Sequence, residues 1–170
     1  VYLFTGFLDA GKTKFIQETL EDVRFNNGES TLLLLCEEGE EEYEPTTFSG
    51  KNVFIEVIED PSELTPINLE RLQKKHAVER VIVEYNGMWD PDTILSVDMP
   101  RGWEISQIVT MIDASTFAVY LNNMKSIIGN MIKCTELVIF NRCSEEQDLP
   151  MFRRNLKALN SNCLLYTSPS

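Results

Sequence analysis

Residues 6 to 13, Gly6-Phe7-Leu8-Asp9-Ala10-Gly11-Lys12-Thr13, fill every fixed position of the template G-x-x-x-x-G-K-[ST]. No other feature constrains the fold as tightly, because a loop of this kind works only between a strand and a helix. An apolar stretch, Val1 to Phe4, precedes it, and Phe15, Ile16, Thr19, Leu20 and Val23 follow at helical spacing. Gly6 and Gly11 let the backbone curl until successive N–H groups face one anionic centre. The positive end of the helix that starts near Gly11 adds to that field. Lys12 reaches the β- and γ-phosphates as a point charge, and Thr13 offers a hydroxyl to Mg²⁺. The candidate phosphate contacts are therefore Gly6, Asp9, Ala10, Gly11, Lys12, Thr13 and Lys14.

The rest of the chain agrees with that start. Short apolar runs alternate with amphipathic or polar stretches, the pattern of βαβ units around a largely parallel sheet. Strands are expected at Val1 to Thr5, Thr31 to Cys36, Asn52 to Ile58, Arg80 to Glu84, Ile105 to Ile112 and Glu136 to Phe140. Leu32-Leu33-Leu34-Leu35 and Val81-Ile82-Val83 are continuous apolar runs, as strands covered on both faces require. Helices are expected at Lys12 to Phe25, Pro66 to His76, Thr116 to Met124 and Leu149 to Leu159, with Thr65 as an N-cap before Pro66. The fold class is α/β: a three-layer P-loop NTPase sandwich with a mostly parallel central sheet. One domain is expected over residues 1–160, truncated at both ends. Residues 161–170 read as a non-native or disordered tail, since nothing in them continues the pattern.

Charge narrows the partners. Lys and Arg number 15 against 27 Asp and Glu, a formal net charge of -12. Such a surface repels nucleic acid and anionic lipid, while a local loop still accepts one Mg-bound nucleotide. No apolar run has the length of a membrane span and no leader pattern opens the sequence, so the cytoplasm is the expected compartment. Cys36, Cys134, Cys143 and Cys163 form no C-x-C or C-x-x-C pair, which reads as reduced thiols rather than a structural zinc site.

Two further segments complete a site. Val81-Ile82-Val83-Glu84 is an apolar strand that ends in a carboxylate, the place where a phosphate-loop protein holds Mg²⁺ or its waters. Glu84 is thus a metal-holding and catalytic candidate beside Lys12, and Gly87 brings a backbone N–H towards the γ-phosphate. After the strand Glu136 to Phe140 comes Asn141-Arg142-Cys143-Ser144. GTPases read guanine there with N-K-x-D: the Asn binds the base edge, the Lys stem stacks on the ring, and the Asp accepts the N1 and N2 protons. Asn141 is in place and Arg142 can stack, but Ser144 stands where the charged acceptor belongs, with Glu145 one position late. Loss of that charge weakens guanine selectivity.

In order and spacing these elements resemble the CobW/UreG/HypB group of P-loop GTPases, CobW-like proteins most of all. The group's G-F-L-G-A-G-K-T-T is similar to Gly6 through Lys14, and its E-x-x-G to Glu84-Tyr85-Asn86-Gly87. Its N-E-x-G resembles Cys36-Glu37-Glu38-Gly39, and its D-A resembles Asp113-Ala114. The resemblance spans about residues 1 to 160. It implies GTP and Mg²⁺ as ligands, slow hydrolysis, homodimerisation on nucleotide binding, and delivery of a metal or cofactor to a client metalloprotein. It also implies a larger protein with a further C-terminal domain. The C-x-C-C metal motif of many relatives is missing, for Glu37 to Val83 contains no cysteine. The acidic run Glu37 to Glu44 has two readings, a solvated loop or a set of oxygen donors for a hard cation, with Glu37 or Glu40 as a switch residue near Mg²⁺. Two rivals stand beside the GTPase: a P-loop ATPase or kinase, and a nucleotide-binding scaffold with negligible hydrolysis.

Other residues have plainer readings. His76 follows Lys74 and Lys75 at a helix end, where cations suit the dipole. Asp113 reads as the N-cap of the helix entered at Ser115 or Thr116. Trp89, Trp103, Tyr85 and Met88 read as packing or a partner surface.

Overall fold

The structure, a computed structural model, describes residues 1–7, 10–37, 39, 41–144 and 147–169. Seven strands form one sheet in the order β3-β2-β4-β1-β5-β6-β7, and every recorded pairing is parallel. The strands are β1 (Tyr2–Thr5), β2 (Thr31–Leu35), β3 (Val53–Val57), β4 (Arg80–Glu84), β5 (Gln107–Asp113), β6 (Leu137–Cys143) and β7 (Leu164–Pro169). The helices are α1 (Lys12–Glu21), α2 (Pro66–Lys75), α3 (Pro91–Leu95), α4 (Phe117–Asn123), α5 (Lys125–Lys133) and α6 (Leu149–Leu159). Among the described residues no helix is long and apolar enough to cross a membrane.

Alternation along the central strands divides the core between two faces. Leu33, Ile82, Val109 and Ile139 pack with Ile16 and Leu20 of α1. Leu32, Leu34, Val81 and Val83 pack with Leu69 and Leu72 of α2 and Ile94 of α3. Val138 and Phe140 continue that second face beneath α4, α5 and α6, through Phe117, Ile132, Phe152 and Leu156. The chirality of parallel crossovers requires this division. The chain moves one way across the sheet from β1 to β2 and the other way from β3 onward, so α1 lies opposite the other helices.

Most expected elements recur, and the differences have local causes. Helix α1 ends at Glu21 rather than Phe25 because Asp22 turns its carboxylate onto the Arg24 N–H and guanidinium, while the Asn26 amide caps the Leu20 carbonyl at 2.9 Å. Thr65 caps α2 through the Asn68 N–H, as expected. His76 ends α2 and bonds Glu56 of β3 at 2.8 Å. Helices α3 and α5 were not foreseen. The first is one short turn capped by Asp90, and the second is separated from α4 only by the irregular Met124. Tyr85 is buried, Trp89 and Trp103 pack partly buried against the same core, and Met88 is exposed.

The C-terminal end departs most from the sequence reading. Where a disordered tail was expected, residues 164–169 add an edge strand in register with β6, and Cys163 is fully buried against α6. Leu165 turns inward while Leu164 and Tyr166 stay exposed, so this strand is covered on one face only.

Candidate nucleotide site at the carboxyl ends of the strands

The loop after β1 emerges at the carboxyl edge of the sheet, the side on which open α/β sheets bind ligands. Its entry is anchored by buried hydroxyls: Thr5 and Thr110 share a hydrogen bond of 2.7 Å, and Thr110 and Thr135 one of 2.5 Å. Gly6 follows with φ 139°, and a Cβ there would overlap the Met111 carbonyl. From the other side Gly87 approaches so closely that its own Cβ would overlap the Gly6 carbonyl. Only glycine fits either position, because the obstacle is backbone. Leu8 and Asp9 lie outside the described residues, so the Asp9 expectation stays with the sequence. Gly11, at φ 94°, is the N-cap of α1, and no side chain caps the helix, which leaves its first N–H groups to the loop.

Lys12 is 3% exposed. Its ammonium donates to the Gly6 carbonyl, lies 3.4 Å from the Phe7 carbonyl, and pairs with Glu37 Oε2 at 2.5 Å. The Gly87 N–H points at the same oxygen from 3.4 Å. Thr13 donates its hydroxyl to Glu84 Oε1 at 2.7 Å, and the Tyr43 hydroxyl donates to Glu84 Oε2. Burial pushes the Glu84 carboxyl above the ordinary glutamate range. The hydrogen bonds from Tyr43 and Thr13 and the Lys12 charge act against that rise, and the Glu37 charge adds to it. Thr13, Leu35, Glu37, Tyr43 and Glu84 face a cavity of about 340 Å³. Lys14 is exposed on α1.

The donor set fits Mg²⁺. A threonine hydroxyl beside a buried carboxylate offers hard oxygens, which suit a small hard cation. Cys36 is buried, and burial pushes its thiol up to about 12. Among the described residues no group of three His, Cys, Asp or Glu side chains is arranged to hold a metal ion.

The end of β6 lies across the loop from Glu84. Asn141 Nδ2 is 3.3 Å from the Ala10 carbonyl and so close to Gly11 that a Cβ there would overlap it. Arg142 takes a left-handed backbone, φ 55°, and pairs with Asp113 Oδ2 at 2.7 Å. Asp113 is therefore not the helix cap that its sequence position suggests. The N-cap of α4 is Thr116, while Asp113 accepts from Ser115 N–H and Arg142 because β5 and β6 place Asp113 and Asn141 side by side. The Ser144 N–H and hydroxyl both turn onto Gln147 Oε1. Glu145, the other candidate acceptor, lies outside the described residues, as does Glu40.

Tyr43 is the site residue that sequence reasoning missed. One signal existed: a lone aromatic inside Glu41-Glu42-Tyr43-Glu44 needs an apolar surface to rest on. It finds one beside Leu35 and Ile55.

Comparisons with known proteins bear on the fold and the family. A search of curated proteins gives no match. Among solved structures, the hydrogenase maturation factor HypB from Archaeoglobus fulgidus superposes with a TM-score of 0.68 at 15% identity, over 99% of this chain and 80% of its own. The zinc-bound YjiA GTPase from E. coli gives a TM-score of 0.69 at 17% identity, over 98% of this chain and 56% of its own. A zinc-bound triple mutant of YjiA GTPase gives 0.71 at 18% identity. The chain thus spans little more than half of the YjiA structures, and at these identities the likeness speaks for the fold. The family profile "CobW/HypB/UreG, nucleotide-binding domain" matches residues 1–165. With that match over nearly the whole length, the chain belongs to the CobW/HypB/UreG family and is its nucleotide-binding domain.

Proposed function

We propose that this domain binds GTP together with Mg²⁺, hydrolyses it slowly, and so gates delivery of a metal ion or cofactor to a client metalloprotein. The observation that carries the reading is the convergence of Lys12, Thr13, Glu84 and the Gly87 N–H at one end of the sheet, around a loop whose glycines admit no side chain. Lys12 would bind the terminal phosphates and neutralise charge that grows there during transfer. Thr13 and Glu84 would hold Mg²⁺ directly or through water, and the ion when bound would withdraw charge from the phosphoryl oxygens. Glu84, buried and held by two hydroxyl donors, would orient the attacking water. A further cation from a second copy of the chain or from the client would raise a slow intrinsic rate.

Asn141 supports guanine as the base, since its amide already rests on the loop at Ala10. Ser144 in place of an acidic residue favours a second reading, a P-loop ATPase or kinase. The test is displacement of a fluorescent GTP analogue by unlabelled nucleotides in the presence of Mg²⁺. GTP is expected to displace it at concentrations about tenfold below those of ATP. Displacement by ATP at the lower concentration would overturn the guanine assignment. Single-turnover hydrolysis, with and without a client, separates a slow GTPase from a scaffold that does not turn over. The delivery role is supported by the likeness to a hydrogenase maturation factor and a zinc-bound GTPase. Nucleotide-driven pairing of two copies and a cytoplasmic setting belong to the same proposal, and the net charge of -12 speaks against nucleic acid or an anionic membrane as partner.

A further inference from the structure

Two donors of the site, the Lys12 ammonium and the Gly87 N–H, are those that the motif directs at a terminal phosphate. In the structure both face a single carboxylate oxygen, Glu37 Oε2, at 2.5 and 3.4 Å. The pair is withdrawn from water, with side-chain exposures of 3% for Lys12 and 8% for Glu37. Its place is fixed by the sheet: Glu37 is the second residue beyond β2, and the Cys36 N–H between them bonds the Glu84 carbonyl at 2.9 Å. Thr13 and Tyr43, by contrast, turn to Glu84, so Glu37 stands on the Lys12 side of the cavity and not among the hydroxyls beside the candidate metal position.

We infer that Glu37 is a built-in stand-in for the γ-phosphoryl group and sets how strongly the domain prefers a diphosphate to a triphosphate. The inference rests on the nucleotide reading and gives Glu37 a specificity role that the reading does not contain. A γ-phosphoryl group needs the two donors that Glu37 holds, and two anionic oxygens cannot occupy the one position that the Lys12 ammonium and the Gly87 N–H both face. Triphosphate binding must therefore displace the carboxylate. A β-phosphate has another route. Lys12 also contacts the Gly6 and Phe7 carbonyls, and a diphosphate can replace those contacts while Glu37 stays.

Glu37→Gln tests this, because it keeps the shape and one acceptor oxygen while it removes the charge. Affinities for GDP and for a β,γ-imido GTP analogue, both with Mg²⁺, are measured by calorimetry on wild type and variant, with no turnover involved. The analogue is expected to bind the variant about tenfold more tightly, while GDP affinity changes by less than about threefold. Glu37→Asp, which keeps the charge on a shorter stem, should fall between. It also serves if the Gln variant does not fold. Glu70→Gln, an exposed charge removed from α2, should leave the ratio where it was. A ratio that Glu37→Gln does not move overturns the inference, and so does a weaker analogue, the result expected of a lost Mg²⁺ ligand. Should wild type and variant bind neither nucleotide, the nucleotide reading falls and the inference with it. Should GDP bind wild type normally while the ratio stays fixed, the inference alone falls.

Discussion

The two ends of the candidate site are held by different means. At the phosphate end, position is a property of backbone: Gly6 and Gly87 touch main chain to main chain, and the charges of Lys12 and Glu84 are buried to 3% exposure. At the β6 end, strand pairing fixes the backbone of Asn141, whose carbonyl accepts the Ala114 N–H at 2.8 Å, and the contacts made beyond it are side-chain contacts. Asn141 reaches back to Ala10, Arg142 sits on a left-handed residue against Asp113 with 38% of its side chain exposed, and Ser144 turns onto Gln147. The difference teaches where such a domain can be retuned. Backbone contacts leave no room for substitution, whereas partly solvated side chains such as that of Arg142 can be exchanged without disturbing them.

The largest effect is expected from the phosphate end. Lys12→Ala removes the only cation in contact with Glu37 among the described residues and strands that carboxylate. Nucleotide affinity should fall by about a thousandfold, and unfolding in denaturant should report a loss of about 2 kcal/mol, below the range for a fully buried pair because Glu37 can turn towards the cavity. Equal affinity for wild type and variant would remove the assignment of the loop. Next comes Gly87→Ala, with its methyl group driven into the Gly6 carbonyl. A backbone obstacle cannot rotate aside, so a destabilisation of about 2–3 kcal/mol is expected, with weaker nucleotide binding in the folded fraction. A thermal midpoint equal to wild type would show that this end is not built on backbone contact, and the contrast with the β6 end would dissolve.

The same contrast explains what the sequence disclosed. The residues that converge at the loop were legible because their parts are local: an octapeptide, then a strand that ends in Glu84 with Gly87 three residues on. Strands β2 and β4 were legible because burial on both faces makes them continuous apolar runs. The partnerships were not. Glu37 with Lys12, Tyr43 with Glu84 and Asp113 with Arg142 arise from the order β2-β4-β1-β5-β6, which no residue spacing records. Strand β7 was hidden for another reason. An edge strand needs one apolar face only, and Leu164-Leu165-Tyr166-Thr167-Ser168 has no alternation strong enough to declare it.

The smallest effect, and the sharpest test of the comparison, concerns Ser144. Both its N–H and its hydroxyl are turned onto Gln147 Oε1, at 2.5 and 2.9 Å, so the residue now spends its polar groups within its own loop. Ser144→Asp would supply the charged acceptor that the guanine N1 and N2 protons call for. The expected result is a rise of about tenfold in the ratio of GTP to ATP affinity, read by competition against one fluorescent probe. Affinity for inorganic triphosphate should stay constant, because nothing at Gly6, Lys12 or Gly87 changes. A gain shared by GTP, ATP and triphosphate would mean that position 144 acts on the phosphates and that the two ends are one unit. An unchanged ratio would mean that the base is read from elsewhere, and Asn141 and Arg142 would lose their assignment with it.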